Sequence, residues 1–293
     1  MVVSEMIASA ELVRNRRQDI MRRALGTEIS PFIIQLAGYD PHWMGEAARI
    51  CEDLGADVID INMGCPAKEV TGKQSGSALM RNLPQALALI EAVVQNTNVP
   101  ATLKMRLGWD EKTINAPELA RLAEAAGINM LTVHGRTRAQ FFKGKADWTR
   151  VRAVTNAVHI PVLINGDICS LSDMATALEQ SGANGVMVGR GAYGAPWQPG
   201  RLSAAWCNGI DPGPPSPIQI ADIAIKHVEM MLSHYGTTLG LRNARKHVGW
   251  YLLQRAQDPQ RIKKWRQKLC TEESTGELLR GISEYFRQAE VAA

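Results

Sequence analysis

The sequence predicts an α/β fold, a TIM (β/α)8-type barrel that is followed by a small all-helical domain. Two patterns predict this fold. Short apolar runs alternate with helical stretches from the first residues to about Tyr193. After residue 217, apolar residues recur at helical spacing. The chain has 293 residues, which is enough for one barrel and a second small domain.

Seven runs are predicted to be parallel strands, because they are short and mostly apolar without alternation, as in strands buried on both faces. They are Val2–Ser4, Phe32–Gln35, Val58–Asn62, Thr102–Met105, Leu131–His134, Val162–Asn165 and Gly185–Val188. Seven strands are one fewer than a closed barrel of this type contains. Since the chain opens directly on the first run, we expect a barrel that lacks its first βα unit.

The helices between these strands are indicated by the residues at their ends. Three of them are Pro41–Leu54, Pro117–Ala126 and Leu171–Gln180. Asp40 and Ser170 are good N-caps for the first and third of these helices. Gly55 and Gly127 end the first and second.

The change of pattern after the last strand gives the domain boundaries. Residues 1–210 are predicted to form the barrel and residues 218–293 the helical domain. The segment between them, Asp211–Pro217 (DPGPPSP), predicts a rigid linker. Beyond an apolar pattern from Ile220 to Tyr235, further helices are predicted near Leu241–Gln254, Asp258–Leu269 and Gly276–Ala289.

The composition is that of a soluble globular enzyme, with 45% hydrophobic and 21% charged residues. No apolar run approaches the roughly 18 to 20 residues of a membrane span. The segment Met1–Ala10 has no basic start, and Glu5 interrupts its apolar stretch, so it is no signal peptide. We therefore expect a cytoplasmic protein that does not bind a membrane.

The five cysteines form no CxxC pair, and their odd number does not favour a disulfide framework. Their spacing supports no structural zinc site either, so no metal site is predicted. The net charge of +4 is only mildly basic. Between Thr237 and Cys270, however, nine Lys or Arg residues face one acid, Asp258, and such a local excess is typical of a surface for a polyanion.

The residues that follow the strands are the candidates for chemistry, because barrels of this type carry their active sites at the carboxyl ends of the strands. Cys65 lies on a Gly-Cys-Pro turn after the third strand; a buried small apolar side chain is the alternative. Lys104 lies near the end of the fourth strand, where it contacts either a polar ligand or a structural ion-pair partner. His134 and Arg136 end the fifth strand and together favour ligand contacts over a structural role.

Glycine-bearing turns follow the last two strands, at the place where these barrels commonly bind phosphate through backbone N–H groups. They are Asn165-Gly166-Asp167 and Gly189-Arg190-Gly191. Arg190 can add a charge-assisted contact, so we favour phosphate binding over glycines that only form turns. Gln35 ends an apolar strand and requires hydrogen-bond partners, either a ligand edge or a neighbouring backbone.

Together these motifs resemble those of the tRNA-dihydrouridine synthases, and specifically the bacterial B-type, or nitrogen-regulation-like, branch. The resemblance covers nearly the whole chain, and DINMGCPAK together with HGRT makes it specific. The segments that carry it are Ser4–Met6, Gln35–Gly38, Asp60–Lys68 (DINMGCPAK), Lys104–Arg106, His134–Thr137 (HGRT), Asn165–Asp167, Gly189–Arg190 and Arg242–His247 (RNARKH).

The resemblance implies reduction of selected uridines in tRNA to 5,6-dihydrouridine. NADPH reduces bound FMN, the flavin passes a hydride to uracil C6, and the cysteine that matches Cys65 protonates C5 from the opposite side as a thiol. Asn62 would orient the uracil, and Arg136 is a further candidate substrate contact. The matches to the isoalloxazine and ribityl contacts are Gln35, Lys104 and His134. Those on the phosphate side are Asn165, Gly166, Asp167, Gly189 and Arg190.

The helical domain is then expected to bind tRNA, whose target uracil must leave its stack to be reduced. Arg242, Arg245 and Lys246 are spaced i, i+3 and i+4, which places them on one helix face. A solvated surface is the alternative for such a run, but the catalytic match favours RNA contacts by Arg242 and Lys246. We expect the protein to act as a monomer.

The chain departs from the family pattern at its start. Family members open with a strand that ends in an Ala-Pro-Met loop, which contacts the flavin, and nothing here matches it. A second hypothesis is therefore a catalytically impaired, N-terminally truncated homologue that still binds tRNA. A third is another FMN barrel, such as a dihydroorotate-oxidising enzyme or an ene-reductase, which the basic tail and GCPAK disfavour.

Overall fold

The computed structural model describes residues 1–15, 29–254 and 258–291. The chain divides into two compact units. The first contains Met1–Ile168 and Ser172–Met187, and the second contains Cys169–Leu171 and Val188–Ala293. In this division, residues 188–210 group with the helical unit. The domain boundaries at residues 210 and 218 stay a prediction.

The first unit is built on a parallel sheet with the strand order β1-β3-β4-β5-β6-β7-β8, in which β2 also pairs with β3. The strands are β1 (Val2–Val3), β2 (Ile7–Ala8), β3 (Phe32–Ala37), β4 (Val58–Met63), β5 (Ala101–Arg106), β6 (Met130–His134), β7 (Val162–Asn165) and β8 (Gly185–Met187). Each of the seven predicted strands is confirmed. Strand β2, which contains only two residues, was not predicted. Within the described residues, β1 and β8 are the two ends of the ladder.

Strands β3 to β7 are mostly buried, as predicted, whereas β1, β2 and β8 are partly exposed. In β4 the predicted lack of alternation is wrong. In β4, Ile59 and Ile61 are buried, and so are the polar residues Asp60 and Asn62 between and after them. Because successive side chains point to opposite faces, the two isoleucines share one face and the two polar residues share the other. The polar face therefore carries the candidate site.

Helices of the first unit connect these strands. They are α1 (Ser9–Asn15), α2 (Pro41–Asp53), α3 (Lys68–Thr71), α4 (Leu83–Gln95), α5 (Ala116–Ala125), α6 (Arg152–Thr155) and α7 (Leu171–Ser181). The N-cap predicted for α2 is confirmed, since the Asp40 carboxylate accepts a hydrogen bond from the backbone N–H of His42 at 2.9 Å. After α5 the chain turns at Gly127, whose φ is +102°.

The second unit is helical, with α8 (Gln198–Asn208), α9 (Pro217–Tyr251), α10 (Pro259–Leu269) and α11 (Thr275–Val291). Helix α9 begins with a capping box of Ser216 and Gln219 and bends at Gly236, whose φ is +75°. The predicted helical domain is thus confirmed as a fold class. Because the backbone at Gly236 is not helical, α9 consists of two helical segments that meet at a kink, which agrees with the two predicted segments. The core is a cluster of aliphatic and aromatic residues that includes Val248, Leu269 and Phe286. In the described part of the chain, no helix is both long and apolar enough to cross a membrane.

Candidate active site

The register of the sheet places the polar side chains beside one another. Gln35 on β3 pairs with Asp60 on β4, and Asp60 pairs with Thr102 on β5. Residues at equivalent register positions of neighbouring strands point to the same face. The same rule aligns a second row, Arg106, His134, Asn165 and Met187, across β5 to β8. Two polar rows therefore run across the sheet.

Asp60 is the centre of the first row and is buried. Its carboxylate accepts hydrogen bonds from Gln35 Nε2 and from Thr102 Oγ1, both at 2.6 Å. Burial raises the pKa of this carboxyl group, whereas the two hydrogen bonds and the nearby charge of Lys104 oppose the rise. Gln35 Oε1 in turn accepts a hydrogen bond from Asn62 Nδ2 at 2.8 Å. The carboxylate thus fixes both amide side chains.

The turn that carries Cys65 is fixed from three sides. Asn62 Oδ1 accepts hydrogen bonds from the backbone N–H groups of Gly64 at 3.2 Å and Cys65 at 3.0 Å. The carbonyl oxygen of Cys65 accepts from Ser77 N at 3.0 Å and Ser77 Oγ at 2.8 Å. The buried Arg106 donates from Nε to the carbonyl of Gly64 at 2.7 Å. The half-buried thiol of Cys65 therefore has a rigid support.

Lys104 lies beside this network. Its Nζ donates to Asn165 Oδ1 at 3.3 Å, and Asn165 Nδ2 donates to the carbonyl of Met187 at 2.8 Å. Burial lowers the pKa of Lys104 to about 8, with Asp60 opposing the shift and Arg106 adding to it. Lys104 thus contacts a neutral amide and has no direct hydrogen bond to Asp60 among the contacts of the described residues. Among the described residues, its other N–H groups have no hydrogen-bond partner.

His134 is buried and neutral at physiological pH. Desolvation, followed by the charges of Arg106, Lys104 and Arg136, lowers its pKa to about 2. Its Nε2 lies 3.2 Å from Nη1 of Arg136. Because an arginine can only donate, Nε2 is the acceptor and Nδ1 carries the proton. His134 therefore offers one N–H donor on the polar face.

Arg136, predicted as a substrate contact, is 1% exposed and is already occupied by protein partners. It forms a bidentate ion pair with Asp167, at 3.0 and 2.5 Å. It also donates to the carbonyl oxygens of Gly144 at 2.6 Å and Lys143 at 3.2 Å. In this arrangement Arg136 anchors the loop after β6. Its contact with substrate stays a prediction.

Gly166 requires the absence of a side chain. Its φ is +114°, and an added Cβ would lie 2.7 Å from Cδ2 of His134 and 2.8 Å from Cβ of Ala146. Its carbonyl accepts a hydrogen bond from Trp148 Nε1 at 2.9 Å. The backbone therefore passes directly against the imidazole. The glycine is thus explained by contacts with protein atoms, and phosphate binding at this turn stays a prediction.

The other predicted residues belong to the second unit. Gly189 and Arg190 are exposed at a short 3-10 turn. Arg242 and Lys246 are exposed one helical turn apart on α9. Arg245 differs from them, because its Nε and Nη2 donate to the carbonyl of Glu272 at 2.9 and 2.5 Å. The structure thus separates a structural arginine from two exposed cations.

Three polar residues of the site had no role in the sequence interpretation. Asp60 and Thr102 form the first polar row, and Arg106 is 2% exposed with hydrogen bonds to carbonyls of the turns that follow β4 and β6. A charged residue within a buried strand is a signal for such an anchor, because its burial is costly unless partners satisfy it. Asp60 and Arg106 both carried that signal.

Comparison with known proteins identifies the family to which this sequence is similar. A model described as "Dihydrouridine synthase (Dus)" matches residues 1–290. A probable tRNA-dihydrouridine synthase of Rhizobium leguminosarum bv. phaseoli is 52% identical over 253 residues, 86% of this chain and 77% of that protein. One of Rhodobacter capsulatus is 53% identical over 254 residues, 86% of this chain and 78% of that protein.

A tRNA-dihydrouridine synthase B of Pseudomonas aeruginosa is 43% identical over 253 residues, covering 86% of this chain and 76% of that protein. The resemblance recognised from DINMGCPAK and HGRT is therefore confirmed by relatives across most of the chain. By its sequence and by the barrel-type sheet that the sequence forms, this chain belongs to the dihydrouridine synthase family.

Proposed function

We propose that this protein reduces specific uridines in tRNA to 5,6-dihydrouridine, with FMN as cofactor and NADPH as reductant. The observation that carries the proposal is the support of Cys65, whose turn is fixed by Asn62, Ser77 and Arg106 at the polar face of the sheet. The names of the relatives support tRNA as the substrate. The cytoplasm as the site of action and the monomeric state stay predictions.

The polar rows fit a flavin by the chemistry of their donors. Lys104 uses one N–H on Asn165, and His134 presents Nδ1–H, so both supply donors for the oxygen and nitrogen acceptors of an isoalloxazine ring or a ribityl chain. Gln35 uses its oxygen and one N–H within the site and keeps a second N–H. These three residues are our candidates for holding the flavin ring.

The phosphate of FMN is assigned to the glycine turns. Gly166 supplies a backbone without a side chain. Gly189 and Arg190 belong to the second unit, and their role toward the phosphate rests on the family resemblance alone. The carboxylate of Asp167 is paired with Arg136, so Asp167 would act by shaping the turn rather than by contacting an anion. Asn165 would contribute through the amide that Lys104 and Met187 orient.

When bound, reduced FMN supplies the hydride that uracil receives at C6. The chain must then deliver a proton to C5 from the opposite side, and the Cys65 thiol is the donor that we assign to this step. A thiol is required here rather than a thiolate, because the group gives up a proton. Asn62 keeps one N–H beyond its bond to Gln35, which can orient a uracil carbonyl.

The experiment compares purified wild-type protein with a Cys65→Ala variant on tRNA that lacks dihydrouridine, with product measured by mass spectrometry. We expect wild-type protein to bind FMN and form dihydrouridine. Cys65→Ala should retain FMN and its reduction by NADPH, but form product at least about 100-fold more slowly, the usual size of a proton donor's contribution. Cys207→Ala, at an exposed cysteine on α8, is the matched control and should leave the rate unchanged.

Other outcomes would support the competing hypotheses. Wild-type protein that binds tRNA but neither flavin nor NADPH would support the catalytically impaired homologue. Wild-type protein that binds FMN but neither binds nor reduces tRNA would support the hypothesis of another FMN barrel enzyme. Full product formation by Cys65→Ala would remove Cys65 from the reaction and overturn the mechanism.

A further inference from the structure

An exposed aromatic pair lies in the second unit. The ring of Tyr193 stacks on that of Trp250, with centroids 4.0 Å apart and an angle of 15° between the planes. Tyr193 is nevertheless 46% exposed. Because Trp250 covers one face of the ring, the exposed surface lies on the rest of the residue, to which the opposite ring face belongs. We call these two residues the Tyr193–Trp250 platform.

The backbone holds the platform in place. Gly194 has a φ of +69°, and a Cβ on it would lie 2.4 Å from the carbonyl carbon and oxygen of Trp250. The loop therefore rests directly on the backbone of α9, which only a glycine permits. Gln254 Nε2 also donates to the carbonyl of Tyr193 at 3.3 Å. The backbone of Tyr193 is therefore already fixed, and binding of a ligand costs little further conformational entropy there.

The surroundings of the platform are cationic. Nζ of Lys246 lies 5.1 Å from the centroid of the Trp250 ring. Arg242 is exposed one helical turn before Lys246. These cations belong to the segment in which nine Lys or Arg residues accompany one acid. A rigid open aromatic face beside cations matches an unstacked nucleobase with its phosphates, because bases stack on aromatic side chains while Lys and Arg contact the backbone.

We propose that the Tyr193–Trp250 platform stacks on an unpaired nucleobase of tRNA, at a position distinct from the uracil that Cys65 protonates. This inference rests on the proposed function, since it takes tRNA as the substrate. The platform adds affinity that does not depend on salt, whereas Arg242 and Lys246 add affinity that does. The two kinds of contact are therefore separable by experiment.

The test measures the dissociation constant of tRNA by filter binding over a series of salt concentrations. Tyr193→Ala is expected to raise the Kd about 5- to 150-fold, the range for loss of one base–aromatic stack, with an unchanged slope of log Kd against log salt. Tyr193→Phe keeps the ring and should stay within about twofold of wild type. Tyr235→Ala, at a tyrosine on α9 that is 42% exposed, is the matched control and should bind normally.

Tyr193→Leu is a second variant for the case in which Tyr193→Ala does not fold. It keeps an apolar contact with Trp250 but has no aromatic ring. We expect it to weaken tRNA binding as much as Tyr193→Ala does. A folded alanine or leucine variant with the wild-type Kd would overturn the platform while leaving the proposed function intact. Wild-type protein that fails to bind tRNA at any salt concentration would instead overturn the proposed function, and the platform with it.

Discussion

The side chain of Asn62 caps the turn that carries Cys65, since its Oδ1 accepts the backbone N–H of Cys65 at 3.0 Å. The position of Asn62 is set by Gln35, and that of Gln35 by the buried Asp60. A chain of three side chains on two neighbouring strands therefore determines where the thiol lies. Such fully connected buried networks are stiff, because breaking one link leaves a polar group without a partner.

Removing the cap should destabilise the turn. Asn62→Ala leaves the N–H groups of Gly64 and Cys65 without their acceptor, and we expect it to lower the free energy of unfolding by about 1–3 kcal/mol in urea denaturation. Ser77→Ala is the control. It removes a hydroxyl from the carbonyl of Cys65, which keeps the backbone N–H of Ser77, so its cost should be below about 1 kcal/mol. Equal costs for the two variants would show that Asn62 is no cap.

A methyl group at position 166 should displace His134. Gly166→Ala combines a positive φ with a Cβ only 2.7 Å from the imidazole, and we expect it to destabilise the protein by about 2–3 kcal/mol and to weaken FMN binding. Gly144→Ala is the matched control, because Gly144 also has a positive φ, +66°, but open space around a Cβ. It should cost about 1 kcal/mol and leave FMN affinity unchanged. If Gly166→Ala binds FMN with the wild-type affinity, the turn at Gly166 does not contact the flavin.

The fold was predictable because its signals are local. The cap at Asp40 fixed the start of α2, and the short strands stood out between helices. The hydrogen-bond partners were not predictable, because they depend on register. Gln35 contacts Asp60 only because the register of β3 and β4 pairs those two positions. That register cannot be predicted from the local sequence of either strand. The stack of Tyr193 on Trp250 joins residues 57 positions apart in sequence and left no periodic signal.

Acid should destabilise the protein through His134. In the folded chain its pKa is about 2, whereas the ordinary value is 6.5, so between these pH values the unfolded chain binds one more proton. Stability is therefore present above pH 6.5 and is lost as the pH falls below it, by up to about 1.4 kcal/mol per pH unit. His134→Gln keeps an acceptor for Arg136 and does not titrate.

Urea denaturation of the flavin-free protein at pH 6.5 and at pH 5 measures this contribution. The loss of stability between the two should be smaller in His134→Gln by about 2 kcal/mol. His159→Gln, at an exposed histidine, is the control and should behave like wild type. If His134→Gln loses as much stability in acid as the wild-type protein does, the imidazole of His134 is not the cause. The folded wild-type protein would then tolerate a charged His134.

Charge reversal at position 242 should weaken tRNA binding without affecting the flavin. Arg242 is exposed on α9, unlike its neighbour Arg245, whose guanidinium is held by the carbonyl of Glu272. We expect Arg242→Glu to raise the Kd of tRNA about tenfold at moderate salt and to reduce the salt slope by about one, because one phosphate contact is lost. FMN content should match that of wild type.

Arg121→Glu, an identical charge change at an exposed position of the barrel helix α5, is the control and should preserve binding. If both variants lose affinity equally, net charge rather than a specific contact at Arg242 governs the interaction with tRNA.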